Sequence, residues 1–264
     1  MQGCICPHPP LLIPEVGGTT RNKVAATVMA MERLAASVGE PETVVVISPH
    51  ADSFEAAHAV KTASRLHGDF GRFRHPEAAY SYDNDVHFAE LLLARAGDHR
   101  RISVVPDDGD VLDWGVLVPL SFLHCRSIVS LSVVGPYAAH RALGQLVRRC
   151  AEELARDTLF LASGDLSHAL IHGAPAPYDP RGKLFDDEVV ELLRVGDFPG
   201  LMRIDPVLLS GAAECGLRSF VALGGFLGDD ATVDPEVLSY EGPYGVGYLV
   251  ARFGPRPAPA DAQA

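Results

Sequence analysis

The sequence predicts an α/β fold built in layers, and three observations predict it. Short β-branched runs alternate with longer stretches of helical periodicity, the order expected of helices packed around a sheet. Several of those runs are nearly continuously apolar, as in "TVVVISP" at residues 43–49, which is the pattern of a strand covered on both faces. The chain has 264 residues, 47% of them hydrophobic, enough to bury a substantial core without disulfides or metal staples.

In chain order, a short strand precedes the proline-rich "PHPP", whose prolines fix φ, remove donors and so stop any ladder or helix there. Helical periodicity follows over 22–38, then the buried strand at 43–49. A helix is predicted over 85–96 and a strand over 102–106. Strand "SIVSLSVV" spans 127–134, a helix 138–156, and strand "TLFLAS" 158–163. The stretch "HGAPAPYDPRG" (172–182) reads as a long loop before a helix over 183–194. A further helix is expected over roughly 216–227, then strand, glycine-rich turn and strand over 236–253. Residues 1–253 are expected to form one domain, and the Pro/Ala-rich 254–264 a disordered tail.

A formal net charge of −12 argues against nucleic acid or an anionic membrane surface as partner. Five cysteines, an odd number with no CxxC pair, fit neither a disulfide framework nor a structural zinc site. With no signal peptide and no apolar run of about 18 residues, the expected location is cytoplasmic.

Polar residues recur where strands end. His8 follows the first strand, His50 closes "VVVISPH", and Asp165 and His168 close "TLFLASGDLSH". Ligands of open α/β sheets bind beyond the carboxyl ends of strands, so these side chains are placed to converge. Two imidazoles and one carboxylate make the facial triad of non-haem Fe(II). Glu15, Asp52, Asp113, Asp165, Glu214 and Glu241 are all candidates for the carboxylate, and spacing does not choose among them.

The ordered motifs "PHPPLLIPEVG", "VVVISPHAD", "LDWGVLVPLSFL", "ASGDLSHAL", "AAECGLRSFVALGGFLG" and "YEGPYGVGYL" resemble the class III extradiol dioxygenases, more closely the LigB-like catalytic-subunit branch that includes the Memo proteins. The likeness runs from about Pro7 to Tyr248. It implies a three-layer αβα architecture with a central mixed, largely parallel sheet. It also implies His8 and His50 as Fe(II) ligands, with Zn or Mn as substitutes, and Glu214 as the third ligand. Glu241 is the runner-up there; in Memo proteins a cysteine stands in this neighbourhood, and Cys215 is adjacent to Glu214 here. His168 is implied as acid/base, with Asp165 orienting it, while Trp114, Tyr240 and Tyr244 are expected against the substrate.

The implied reaction inserts O2 into a catechol-type or aminophenol-type ring to give a ring-opened semialdehyde. The implied partners are a small aromatic diol and O2, in a homo-oligomer or with a small companion subunit. Two alternatives stand beside it: a Memo-like metal-binding redox or signalling protein without ring cleavage, and a zinc hydrolase using the same residues. One departure bears on the choice. Relatives that cleave rings read Asp-His-Gly where this chain reads Asp113-Trp114-Gly115, and an indole offers one donor and no base.

Overall fold

The computed structural model describes residues 1–52, 57–99, 101–228 and 233–255. Its strands are β1 (Gln2–Cys6), β2 (Thr43–Ser48), β3 (His58–Lys61), β4 (Arg65–Phe70), β5 (His75–Asp83), β6 (Val104–Asp107), β7 (Ser127–Ser132), β8 (Thr158–Ser163), β9 (Asp234–Glu241) and β10 (Tyr248–Gly254). Its helices are α1 (Pro14–Gly17), α2 (Ala25–Val38), α3 (Val86–Gly97), α4 (Trp114–Leu120), α5 (Tyr137–Glu153), α6 (Arg181–Arg194), α7 (Phe198–Leu201), α8 (Pro206–Ala212) and α9 (Leu217–Leu227).

Eight strands make one mixed sheet in the order β6-β3-β7-β2-β8-β1-β10-β9. At its centre β7, β2, β8 and β1 run parallel, while β10 and β9 add antiparallel at one edge. Every residue of β2 and β8 is buried, and alternation along β2 supplies both faces. Val45 and Ile47 join the apolar layer of α3, α5, α6 and α9, which includes Phe88, Leu143, Phe185 and Phe220. Val44 and Val46 join the opposite layer, with Met31 of α2 and Val116 of α4. The expected three-layer αβα architecture is therefore the observed one. Truncating a wholly buried aromatic such as Phe220 to alanine costs about 3–5 kcal/mol.

Several predicted boundaries move for local reasons. Residues 18–24 wind as a 3-10 turn, so the helix expected from residue 22 starts at Ala25. The helix expected to reach residue 156 stops at Glu153, and Ala155 turns left-handed at φ 50°. The hairpin of β4 and β5 lies outside the main sheet and was not foreseen. Its strands are largely polar and one begins His75-Pro76, so they lack the apolar run of a buried strand. Gly254 ends β10 rather than opening a tail, and the tail expected over 254–264 otherwise falls, from residue 256, outside the described residues. Among the described residues no helix is long and apolar enough to cross a membrane.

The four central parallel strands end in Cys6, Ser48, Ser132 and Ser163. Their carboxyl ends share one edge of the sheet, where a crevice for ligands forms.

Candidate metal centre

Three segments meet at that edge. The first is Pro7-His8-Pro9 after β1. There His8 is buried, and its amide donates to Asp165 Oδ1 at 3.0 Å. The second follows β2: the hydroxyl of Ser48 accepts the amide of His50 at 3.2 Å and donates to Asp113 Oδ1 at 2.7 Å. The third is the turn before α9, where the amide of Gly216 donates to the Asp165 carbonyl at 3.0 Å and the Asp165 amide donates to Cys215 Sγ at 3.3 Å. Two glycines permit this crossing. A Cβ on Gly164 would lie 2.2 Å from the Cα of Gly216, a distance real atoms do not allow.

The three segments bring His8 Nε2, His50 Nε2 and Cys215 Sγ together. His50 Nε2 lies 3.0 Å and Cys215 Sγ 3.6 Å from His8 Nε2. All three donor atoms fall within 4.8 Å of one another, the one such group of three among the described residues. The proton state of His8 follows from its partners. Its Nδ1 lies 2.9 Å from Ser163 Oγ, and that hydroxyl spends its single proton on the carbonyl of Gly115. Ser163 therefore accepts from His8 Nδ1–H, which leaves a bare lone pair on Nε2 facing His50 and Cys215. A ring N–H held by a neighbouring acceptor is the usual support of a metal-ligating histidine.

Electrostatics favour the same reading. Burial, then the nearby His168, lowers His8 to about 3. Burial, followed by the charges of His8, His168 and Arg72, lowers His50 to about 4, so both imidazoles are neutral at pH 7. Burial first, and the charge of Asp165 second, push the Cys215 thiol well above its usual value. The residues fit a transition metal by donor chemistry: two neutral imidazoles and one sulfur suit copper, zinc or iron. Binding would displace the thiol proton.

The other expected site residues are distributed unevenly around this centre. Asp165 adjoins it: its Oδ2 stands 3.7 Å from His8 Nε2, and burial raises its carboxyl to about 6. His168 lies within electrostatic reach of His8, His50 and Asp165, and its buried Nδ1 has no hydrogen-bond partner. Trp114 stacks on His50 with ring centroids 4.2 Å apart, and the guanidinium of Arg72 lies 4.9 Å from the indole centroid. Beside them opens a cleft of about 330 Å³ lined by His50, Asp52, Lys61, Arg72, Phe73 and Trp114.

Glu214, expected as the third ligand, is not brought into the donor group. Its carboxylate turns to the start of α9 and accepts the amide of Leu217 at 2.6 Å, and the neighbouring Cys215 presents its sulfur instead. Glu241 is likewise engaged elsewhere, accepting the amide of Thr27 at 2.7 Å. Tyr240 donates to Asp186 at 2.7 Å and Tyr244 to the carbonyl of Thr20 at 3.1 Å, and neither lines the cleft. Ser163, Ser48 and Asp186 were not foreseen. The first two had one available signal, a hydroxyl closing an otherwise apolar strand.

The model of the catalytic LigB subunit of aromatic ring-opening dioxygenases matches residues 2–251. Protein CA_C1420 of Clostridium acetobutylicum is 32% identical over 264 residues, which cover 94% of this chain and 56% of that protein. MEMO1 family protein MK0963 of Methanopyrus kandleri is 27% identical over 207 residues, covering 75% of this chain and 64% of that one. The chain thus spans little more than half the length of these relatives. The structure of an uncharacterized protein, JW3007, from Escherichia coli K12 shares the fold, with a TM-score of 0.57 and 19% identity over 96% of this chain and 100% of that one.

Proposed function

The chain belongs to the LigB family, matched over residues 2–251, and on that premise we propose that it is a Memo-like metal-binding redox protein. His8, His50 and Cys215 would hold the ion. One observation carries the choice: the sulfur of Cys215 lies within 4.8 Å of both histidine nitrogens, whereas the carboxylate of Asp165, 3.7 Å from His8 Nε2, does not join that group of donors. A thiolate with two imidazoles favours a softer ion than the two-histidine, one-carboxylate set that leaves open positions on Fe(II).

The bound metal would supply electron transfer to a small molecule in the neighbouring cleft. The protein's own residues do the rest. Ser163 fixes the ring of His8 through Nδ1–H. Trp114 covers one face of His50. Arg72, over the indole and lining the cleft, draws in electron-rich or anionic molecules.

Iron-dependent extradiol cleavage of a catechol-type ring is the second reading. His168 favours it, because an imidazole with a free buried nitrogen beside the centre suits acid/base transfer at a phenolic oxygen. The experiment is anaerobic loading with Fe(II) or Cu(I), metal analysis of wild type and Cys215→Ser, and oxygen uptake with a catechol panel. Metal lost in Cys215→Ser without catechol-dependent oxygen uptake supports the redox reading. Metal retained in that variant, or stoichiometric ring cleavage, overturns it.

A further inference from the structure

We propose a second cation site, formed by His58 and His140, that takes a singly charged d10 ion, Cu(I), between the two Nε2 atoms. The pair lies apart from the first centre and shares no residue with it. His58 opens β3 and His140 sits in the first turn of α5; their exposures are 2% and 0%. Their rings meet nearly at right angles with centroids 4.9 Å apart.

The hydrogen bonds determine which nitrogens are free. His58 Nδ1 lies 3.0 Å from the Ser132 carbonyl and His140 Nδ1 2.9 Å from the Pro136 carbonyl. A carbonyl only accepts, so both Nδ1 atoms must carry the proton. Each neutral ring then presents an unprotonated Nε2, and both Nε2 atoms are buried without any partner. Two unpartnered ring nitrogens on adjoining buried rings are a strong departure from the rule that buried polar groups are satisfied. What answers both is an electron-pair acceptor. The Nδ1–H bonds to carbonyls are the support that ligating histidines normally have.

Chemistry narrows the ion. No third His, Cys or carboxylate joins this pair among the described residues, whereas zinc usually takes four ligands. The two imidazoles bring no negative charge. Arg218 is the charged side chain nearest in effect to His140, and it opposes added positive charge there. A soft, singly charged ion content with two nitrogens meets these conditions, and a divalent ion does not. Position ties the pair to the first centre. Ser132, whose carbonyl holds His58, is the register partner of Ser48, which holds the amide of His50. The two sites therefore sit at the carboxyl ends of neighbouring strands.

The test uses the full chain carrying His8→Ala and Cys215→Ser, so that only the second pair can respond. Anaerobic Cu(I), or Ag(I) as its redox-silent stand-in, is titrated while the ring nitrogens are followed by 15N NMR. The expected result is saturation at one equivalent, with the Nε2 resonances of His58 and His140 both shifting and no proton released in buffers of different ionisation enthalpy. Adding His140→Phe should weaken binding by at least about tenfold. Should that variant fail to fold, the NMR titration of the parent decides alone. Unmoved Nε2 resonances at one equivalent, or a water exchanging magnetisation with both rings while the ion fails to bind, would overturn the site.

Discussion

The sulfur of Cys215 stands 3.6 Å from Nε2 of His8, although the two residues are separated by nearly the whole chain. The end of β1 and the turn between α8 and α9 have to arrive at one place for this contact to exist, and the backbone of Asp165 after β8 holds that turn. The contact sets Cys215, and not the adjacent Glu214, beside His8.

Replacing Cys215 with serine is expected to lower metal affinity by more than the about 10–100-fold typical of a supporting residue. Glu214→Ala should keep the metal and lose about 1 kcal/mol of stability, because that carboxylate accepts the Leu217 amide at the start of α9 and acts as a cap. Metal analysis alongside thermal melting separates the two effects. Metal loss in the glutamate variant, with the cysteine variant unaffected, would reverse the assignment.

Ser163→Ala removes the acceptor of His8 Nδ1–H and leaves the ring free to turn. Metal affinity should fall by about 10–100-fold, with the fold intact. Competitive chelator titration reads the change, and wild-type affinity in the variant would show that Ser163 does not orient His8.

Trp114 is the chain's one tryptophan and stacks on His50, so its emission reports on that imidazole. Titration with Cu(I) or Fe(II) should change the fluorescence with saturation at one equivalent, and His50→Ala should abolish the response. Unchanged emission while metal analysis finds one bound ion would place the ion away from His50.

Asp186 predicts a pH dependence. Its Oδ1 accepts the Ser167 amide at 2.8 Å and its Oδ2 the hydroxyl of Tyr240 at 2.7 Å, which ties α6 to the loop carrying His168. Burial, opposed first by the Tyr240 hydrogen bond, raises this carboxyl to about 7. The folded chain thus holds a proton that the unfolded chain releases at about pH 4. Its stabilisation is complete below that pH and is lost as pH rises through about 7. The melting-temperature difference between wild type and Asp186→Asn should shift against wild type from pH 5 to pH 8; a constant difference would refute the shift.

Much of this was legible in the sequence because it is local. Prolines around His8 and the apolar run before His50 mark both side chains as strand-end residues, and uninterrupted strands such as β2 announce a sheet covered on both faces. The choice between Glu214 and Cys215 was not legible. It depends on the backbone of Ala213, which turns left-handed at φ 52° after α8, and an alanine gives no sign of that conformation. Tyr240 and Tyr244 flank the expected turn, but the tertiary fold sets their hydroxyls against Asp186 of α6 and Thr20 of the 3-10 turn before α2. Ser163 needed the tertiary fold, since only the carbonyl of Gly115 reveals where its proton goes.

The turn from Ala213 to Gly216 has one further consequence. A carboxylate and a thiol stand next to each other in it and face different ways, so the donor offered to the crevice is set by phase as much as by composition. Slipping this turn by a single residue would exchange a soft donor for a hard one while leaving the inventory of side chains untouched. A lineage could cross between oxygen chemistry and thiolate chemistry here through an insertion or deletion, with the strands below left as they are.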